Sequence, residues 1–131
     1  MRGESVREIK FRAIKDDGNC IWWAYGYLHD VGKRAVIYVP EETTYYACLK
    51  ETVGQFTGLK DKNDVEIYEG DIIDHCAAFG YVIFEDGMFS FSSSAKVNFG
   101  YRQPLCYIDL SNCEVIGNNY DNPDLLEGGT S

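Results

Sequence analysis

The densest group of residues that could do chemistry is a set of four carboxylates close together in the chain, Glu66, Glu69, Asp71 and Asp74. A divalent metal site or a hydrolytic site would need two or three of these side chains to converge on one point. Glu69-Gly70-Asp71 also has the composition of a turn, in which an aspartate accepts hydrogen bonds from backbone N–H groups. We therefore expect Gly70 and Asp71 to form a structural corner, and a cryptic metal-dependent enzyme using the acids from Glu66 to Asp74 remains an alternative.

Other catalytic signatures are missing from the sequence. There is no Walker loop, dinucleotide fingerprint, H-E-x-x-H or G-x-S-x-G motif. A calcium loop beginning at Asp61 fails because Glu66 stands where that loop needs glycine. His75 and Cys76 are adjacent, and adjacent residues of a strand point to opposite faces. We predict no catalytic residue, no cofactor and no metal ligand.

The cysteines do not indicate a disulfide framework or a zinc ribbon. They are odd in number and include no C-x-x-C pair: Cys20, Cys48, Cys76, Cys106 and Cys113. We expect free and mostly buried thiols.

The run CIWWAYGYL, residues 20–28, is the most aromatic stretch of the chain. Strand alternation divides it into two faces, Ile21, Trp23, Tyr25 and Tyr27 on one and Trp22, Ala24 and Gly26 on the other. A turn at residues 16–19 joins it to a predicted strand over Arg7 to Lys15, which makes a hairpin. The basic face of Lys10, Arg12 and Lys15 near Trp22 or Trp23 could form a stacking platform for single-stranded nucleic acid. The simpler expectation is that these aromatics pack in the core or cover the opposite strand.

Further strands are predicted after this hairpin. Ala35 to Val39 is apolar and ends at Pro40, and residues 43–49 are rich in Thr and Tyr. If the protein binds another protein, we expect exposed aromatics to form the interface. The candidate binding residues are Trp22, Trp23, Tyr45 and Tyr46.

In the second half of the chain, the order of predicted strands and turns is typical of a small barrel. A turn glycine, Gly58, precedes a polar loop, and the Glu-Gly-Asp corner leads into a strand over residues 72–76. An Asp-Gly turn at residues 86–87 joins two apolar runs, and a late strand follows at residues 113–116. This order is typical of SH3-like barrels. Asn122-Pro123-Asp124 has the composition of a helix start, and residues 92–103 are predicted to form a long loop with one strand near 96–99.

The predicted fold class is therefore mainly β, with an N-terminal antiparallel sheet, an SH3-like small barrel and a short C-terminal helix. The expected divisions are residues 1–6 as an extension or tag remnant, 7–50 as the N-terminal sheet, 51–127 as the barrel with its helical turn, and 128–131 as a frayed tail. We expect the sheet and the barrel to share contacts and form one compact unit. Ten Tyr, seven Phe and thirteen Gly against three Pro agree with a β-rich domain.

Three separated segments carry a family resemblance. They are REIKFRA at residues 7–13, FTGLKDKN followed by EIYEGDII at residues 56–73, and EVIGNNYDNPDLL at residues 114–126. Together they resemble the YopX family of phage and prophage proteins, which implies a phage context but no established activity. The family tends to have glycine after the loop asparagine, where this chain has Asp64. An aspartate there must adopt a left-handed conformation at a cost of about 1 kcal/mol.

Charge and hydropathy limit the kinds of partner and the location that we expect for the protein. The net charge is −9, distributed as +1 over residues 1–50 and −10 over residues 51–131. An acidic half repels phosphate backbones, so nucleic acid is a disfavoured partner there. The acidity serves solubility or, alternatively, imitates nucleic acid at a basic site of a host protein. No apolar run approaches the ~20 residues of a membrane helix, and we expect a location in the host bacterial cytoplasm without membrane contact.

The sequence favours a non-enzymatic accessory protein that binds a host or phage protein. A single-stranded nucleic-acid-binding module on the basic N-terminal strand and a cryptic metal-dependent enzyme are the alternatives. Self-association is plausible because strand edges and aromatic residues are abundant.

Overall fold

A computed structural model describes residues 8–18, 22–75, 78–93 and 102–122 of the chain. The chain divides into two compact units, unit 1 ending at Gly58 and unit 2 beginning at Leu59. The described residues form eleven β-strands and three single-turn 3₁₀ helices. The prediction of a mainly β protein with antiparallel sheet is confirmed.

Unit 1 is an antiparallel sheet. Its strands are β1 (Phe11–Ile14), β2 (Trp23–Val31), β3 (Ala35–Val39), β4 (Thr44–Cys48) and β5 (Gly54–Lys60), the last of which crosses the boundary at Gly58. The strand order is β4-β3-β2-β1-β5. A 3₁₀ turn at Lys50–Thr52 leads from β4 to β5.

The core of unit 1 is built from small side chains. Its buried members are Ala13, Ala24, Ala35, Ile37, Val39 and Cys48. The predicted alternation of β2 is present, because Ala24 and Gly26 are buried whereas Tyr25 and Tyr27 are exposed. Of the two tryptophans that were expected to pack in the core or cover the opposite strand, Trp22 is 56% exposed and Trp23 lies against Arg12 of β1. The rings of Tyr25 and Tyr27 lie on the outer face of the sheet, opposite the face that carries Ala24 and Gly26.

The sheet of unit 1 is so strongly curved that the end of β1 contacts β4, although the two strands are not neighbours in the strand order. Lys15, just after β1, forms an antiparallel bridge with Cys48 at the end of β4. The backbone N–H of Asp16 donates to the carbonyl oxygen of Ala47 (2.9 Å), and that of Leu49 donates to the carbonyl of Ile14 (2.8 Å). The end of β1 and the end of β4 are therefore held side by side.

Unit 2 contains a second antiparallel sheet. The strands that lie in unit 2 are β6 (Glu66–Tyr68), β7 (Asp71–His75), β8 (Ala78–Glu85), β9 (Met88–Ser93), β10 (Arg102–Pro104) and β11 (Cys113–Asn118), with 3₁₀ turns at Leu105–Tyr107 and Leu110–Asn112. Five of these strands pair in the order β10-β9-β8-β7-β11. The predicted Asp-Gly hairpin is confirmed, since Asp86 and Gly87 both have positive φ, 55° and 79°, between β8 and β9.

The core of unit 2 is built from large side chains. Its buried members are Ile67, Ile73, Val82, Phe91, Leu105, Ile108 and Cys113. Branched aliphatic residues of this kind fill the space above a pleated sheet, and each contributes about 1.5–3 kcal/mol when fully buried.

The Glu-Gly-Asp corner joins β6 to β7 in unit 2. Asp71 is 2% exposed, and its carboxylate accepts a hydrogen bond from the backbone N–H of Tyr68 (2.7 Å). Gly70 has a φ of 96°, a left-handed value that favours glycine. Gly70 also donates to the carbonyl of Val82 (2.8 Å) and accepts from the N–H of Asn119 (2.9 Å). The corner thus connects three segments of the unit through its backbone.

A loop at residues 61–65 precedes β6, and a buried aspartate organises it. Asp61 is 7% exposed, and its carboxylate accepts three backbone hydrogen bonds, from Asn63 (2.8 Å), Val65 (2.9 Å) and Val115 on β11 (2.8 Å). The left-handed conformation predicted for Asp64 is confirmed by its φ of 67°. Gly58, expected at a turn, lies within β5 with a φ of 87°.

Two parts of the predicted C-terminal architecture are not confirmed. In the described part of unit 2 the five-stranded sheet does not close, since β10 and β11 lie at its edges, and the predicted SH3-like barrel is therefore not confirmed. The predicted helix after Asn122 lies outside the described residues, as do the predicted strand near 96–99, the extension at 1–6 and the tail at 128–131. Among the described residues, no helix has the length and apolar character to cross a membrane.

Candidate functional site

A shallow groove in unit 1 brings together three of the four predicted binding residues. It has a volume of about 410 Å³, and it is lined by Lys15, Asp16, Asp17, Trp22, Tyr45, Tyr46 and Ala47. Trp22 and Tyr45 are 56% and 57% exposed, so both rings present much of their surface to solvent. Large exposed rings in a concave site can bury apolar area against a ligand.

The backbone of unit 1 fixes the groove. Asp16 is hydrogen-bonded to Ala47 where the end of β1 meets β4, which sets residues 15–17 beside residues 45–47. Trp22 is held against the same corner because the N–H of Lys15 donates to its carbonyl oxygen (2.7 Å). The groove therefore depends on the curl of the sheet.

Tyr46 forms the inner side of the groove and is fixed at both ends. Its hydroxyl donates to the Glu42 carboxylate, and the Lys15 ammonium lies 3.8 Å from the centre of its ring. The hydrogen bond to Glu42, with partial desolvation and the charge of Glu42, raises the pKa of Tyr46 above its ordinary value. Tyr46 therefore keeps its hydroxyl proton at neutral pH, and its contacts with Glu42 and Lys15 hold the ring in place at the groove.

Tyr45 also belongs to a row of tyrosines on the outer face of the sheet. Cross-strand register pairs Tyr27 with Tyr38 and Tyr38 with Tyr45. The Tyr38 and Tyr45 ring centres are 4.7 Å apart, and the His29 ring lies 4.9 Å from Tyr45 with its edge toward it. Exposed aromatic surface therefore extends from the groove across β4, β3 and β2.

The basic residues predicted to bind phosphates lie against aromatic rings of the protein itself. Lys10 lies 5.0 Å from the centre of the Phe56 ring and forms an ion pair with Glu8 (3.4 Å). Arg12 is 5% exposed and lies 4.6 Å from the Trp23 ring centre.

With Lys15 over Tyr46, each of the three cations covers one ring. Trp23, the fourth predicted binding residue, is half-buried beneath Arg12 and does not line the groove.

The four carboxylates singled out in the sequence serve different local roles in unit 2. Asp71 is buried and accepts from Tyr68, and Glu66 accepts from the Tyr68 hydroxyl (3.2 Å). Asp74 lies on β7 opposite Glu114 of β11. Across residues 8–18, 22–75, 78–93 and 102–122, no three His, Cys, Asp or Glu side chains are grouped so that they could hold a metal ion.

The thiols described by the structure form no disulfide with one another. Cys48 and Cys113 are buried, and Cys106 is exposed. Burial raises the pKa of the Cys48 thiol, which makes it less reactive. Cys20 and Cys76 lie outside the described residues, so the expectation that Cys76 does not pair with His75 stays a prediction.

Sequence reasoning placed Lys15 near Trp22 or Trp23 but did not identify the two carboxylates of the groove or the tyrosine row. Asp16 and Asp17 stand in a stretch assigned only to a turn, and their nearness to Tyr45 depends on a contact between the end of β1 and β4. A sequence pattern did indicate part of the tyrosine row, because Tyr25 and Tyr27 alternate with the small residues Ala24 and Gly26. Small residues at every second position are what a tightly packed inner face requires.

Comparison with protein families gives one match. Residues 8–127 match the family described as YopX protein. A search of curated proteins gives no match. The family match covers nearly the whole chain and overlaps all three segments that resembled it, so the protein belongs to the YopX family.

Proposed function

We propose that the protein is a non-enzymatic binding protein of phage or prophage origin, and that it contacts a host or phage protein through the groove of unit 1. The observation that carries the proposal is the placement of Trp22, Tyr45 and Tyr46 around that groove. Tryptophan and tyrosine dominate the binding energy of protein interfaces when they are rigidly held. Tyr46 is fixed by Glu42 and Lys15, which provides that rigidity.

The extent of exposed aromatic surface supports the same proposal. The tyrosine row continues from Tyr45 to Tyr27, which is 51% exposed, and Tyr25 on the same strand is 46% exposed. Contiguous aromatic surface with a polar rim is typical of protein-binding sites.

The nucleic-acid alternative has less support from the same residues. A single-strand site needs exposed rings and cations that can reach phosphates. Here Lys10, Arg12 and Lys15 lie over rings of the protein, and two carboxylates, Asp16 and Asp17, stand at the groove. The metal-enzyme alternative would need the acids of unit 2 to converge, and Asp71 is instead engaged with the backbone.

The test is a pull-down with matched variants. Tagged wild-type protein, Trp22→Ala, Tyr45→Ala and Tyr107→Ala are incubated with lysate of phage-infected host cells, with and without nuclease. Tyr107 is the control because it is the most exposed large hydrophobic residue described, 74% exposed, and it lies in unit 2. Circular dichroism checks that each variant folds.

We expect a protein that is retained by the wild type and by Tyr107→Ala in both halves of the lysate. Its recovery should fall at least about tenfold with Trp22→Ala or Tyr45→Ala, as for interface hot spots. Equal recovery by all four proteins would overturn the placement of the site. Bound material that disappears with nuclease would support the nucleic-acid alternative instead.

A further inference from the structure

We infer that an extended segment of the partner protein adds to the outer edge of β4 as one further strand of the unit 1 sheet. The inference rests on the proposed function, because it states how a partner is held at the same groove. Two properties of β4 lead to it, namely the direction of its backbone groups at Tyr45 and the placement of aromatic rings on both faces of that edge.

The outer edge of β4, which faces away from β3, has an open pair of backbone groups at Tyr45. Neighbouring residues of an antiparallel strand direct their N–H and C=O groups to opposite sides. The carbonyl oxygen of Ala47 accepts from the N–H of Asp16, so it lies on the outer edge, and the groups of Tyr45, two residues earlier, lie there too. Across residues 8–18, 22–75, 78–93 and 102–122, neither the N–H nor the carbonyl of Tyr45 has a hydrogen-bond partner on that side.

The end of β1 covers only part of this edge. Lys15 bridges Cys48, and continued pairing would bring Gly18 opposite Tyr45. The backbone groups of Gly18 and Tyr45 are not bonded to each other. Gly18 has a φ of 89°, so the chain leaves the extended path of β1 there. Residues 8–18 therefore do not fill the strand position beside Tyr45.

Aromatic rings stand on both faces of this open position. Tyr45 and Tyr46 are neighbours on β4, so their side chains point to opposite faces of the sheet. The Tyr45 ring is 57% exposed on one face, and the Tyr46 ring lies on the other face beneath Lys15. A strand beside Tyr45 would also direct alternate side chains to the two faces and could contact both rings, whereas a flat ligand would stack on one face only.

An antiparallel strand fits the hydrogen-bonding groups of the edge. The residue opposite Tyr45 would donate its N–H to the Tyr45 carbonyl and accept from the Tyr45 N–H, as in a hydrogen-bonded pair of an antiparallel ladder. Main-chain bonds of this kind give affinity when a peptide adds to a sheet edge, and neighbouring side chains give specificity.

Charge selects little at this edge. Lys15 lines the groove together with the acids, and the Asp16 carboxylate is already paired with Arg34 at 3.1 Å. We therefore expect the segment to present uncharged β-branched or aromatic residues, which pair well with tyrosine across strands.

The experiment uses three fluorescein-labelled cyclic hairpin peptides and the full chain. All three have the same uncharged sequence of threonine, valine and tyrosine, and they differ only at the amides that point away from the hairpin. The first peptide is unmodified, the second is N-methylated along one edge, and the third is N-methylated along both edges. Binding is followed by fluorescence anisotropy, with a labelled oligothymidine as the competing ligand class.

Two matched variants separate the backbone of Tyr45 from its ring. Tyr45→Ala removes the ring and keeps the N–H, whereas Tyr45→Pro removes both, and proline is tolerated on an edge strand where the N–H faces outward. Tyr107→Ala in unit 2 is the control, and circular dichroism checks that each variant folds. Amide hydrogen exchange of the wild type, measured by NMR with and without the first peptide, follows the Tyr45 N–H directly. The Tyr46 N–H, which faces β3, is its internal reference.

We expect the first two peptides to bind the wild type and Tyr107→Ala equally. The third peptide should bind at least about tenfold more weakly, because it cannot donate to the Tyr45 carbonyl and its N-methyl groups block the edge. The first peptide should bind Tyr45→Pro about fivefold more weakly than Tyr45→Ala, since only the proline variant lacks the N–H. Exchange of the Tyr45 amide should slow at least about tenfold on binding, while exchange of the Tyr46 amide stays the same.

Several results would overturn the inference. They are absence of binding by the first peptide, equal binding of all three peptides, an unchanged exchange rate at Tyr45, and preference for oligothymidine. Protection of the Tyr45 amide that rises with the concentration of the peptide-free protein would also overturn it, because a second copy of the chain would then occupy the edge. The peptide and exchange measurements use the wild type, so they decide the question even if Tyr45→Pro does not fold.

The outcome can be separated from that of the proposed function. If a lysate protein is lost with Trp22→Ala while the peptides fail to bind, the groove is a protein site without strand addition and only the inference is wrong. If the peptides bind as expected while no lysate protein depends on Trp22 or Tyr45, strand addition stands and the proposed macromolecular partner is wrong.

Discussion

The two units are both antiparallel β structures, but the side chains of their buried core clusters differ in size. In unit 1 three of the six buried core residues are alanines, and the tyrosines and Trp22 lie on the surface. In unit 2 the core is made of large aliphatic residues and a phenylalanine. A sheet that buries small residues can present its aromatics to a partner, whereas a sheet that buries large ones gains more stability from them.

The units also use carboxylates differently. In unit 2, Asp61 and Asp71 are buried and accept hydrogen bonds from backbone N–H groups, so they hold loops and corners together. In unit 1, Asp16 and Asp17 line the groove, and Glu42 orients a groove tyrosine. Asp61 and Asp71 thus serve the architecture of unit 2, whereas Asp16, Asp17 and Glu42 belong to the candidate site of unit 1.

The largest expected effect follows from truncating the core of unit 2. Ile73 is fully buried, and Ile73→Ala should lower the free energy of unfolding by about 4 kcal/mol because it removes buried methyl groups and leaves a cavity. Tyr45→Ala on the outer face of unit 1 should cost about 1 kcal/mol or less, the value of its ring contacts. Urea unfolding followed by circular dichroism measures both.

Tryptophan fluorescence can follow the unfolding of unit 1 separately from the circular dichroism of the whole chain. Trp22 and Trp23 both lie in unit 1, so tryptophan fluorescence reports that unit. Similar losses for Ile73→Ala and Tyr45→Ala would contradict the assignment of stability to the inside of unit 2 and binding to the outside of unit 1.

A somewhat smaller loss of stability is expected when a methyl group is added on the inner face of the unit 1 sheet. A Cβ added at Gly26 would lie 2.0 Å from the carbonyl oxygen of Tyr38, so the backbone of β3 would have to move. Gly26→Ala should therefore destabilise unit 1 by about 3 kcal/mol, measured by urea unfolding with tryptophan fluorescence. The matched control is Gly32→Ala in the β2–β3 loop, where no atom lies within 4 Å. Equal stability of the two variants would show that small residues are not required in the core of unit 1.

The smallest of these effects concerns Asp61 and has a defined pH dependence. Burial opposes ionisation of Asp61, but hydrogen bonds from Val115, Val65 and Asn63 outweigh it and hold its pKa below the ordinary value. Because the folded pKa is the lower one, this stabilisation is complete above about pH 4, the ordinary range for aspartate, and is lost as the pH falls through the folded pKa.

Asp61→Asn tests this contribution. The amide nitrogen cannot accept from the N–H of Val115, so the variant should lose about 2 kcal/mol at neutral pH and show a weaker fall in stability below pH 4. Denaturation at a series of pH values measures it. Asp64→Asn is the control, because Asp64 is exposed in the same loop and asparagine tolerates its left-handed backbone. An acid-induced loss that is the same in wild type and Asp61→Asn would remove Asp61 from this role.

Much of the local structure could be predicted because it depends on neighbours in the sequence. The strand at Ala35–Val39, the Asp-Gly hairpin and the left-handed Asp64 all follow from side-chain type and backbone preference. The family could also be recognised from three sequence segments that occur in the family's order, because the residues of those segments are themselves the signal. The proposed barrel order was not confirmed because strand sequence does not determine whether the edges of a sheet close.

The sequence by itself determined that β2 has two unlike faces, one of large rings and one of small residues. Only the tertiary structure decided which face is buried, because alternation with a period of two is the same whichever side meets the core. The groove is likewise a tertiary feature. Lys15, Trp22 and Tyr45 meet because the curl of the sheet bonds the end of β1 to β4, a contact between strands that are distant in the chain and not neighbours in the sheet order.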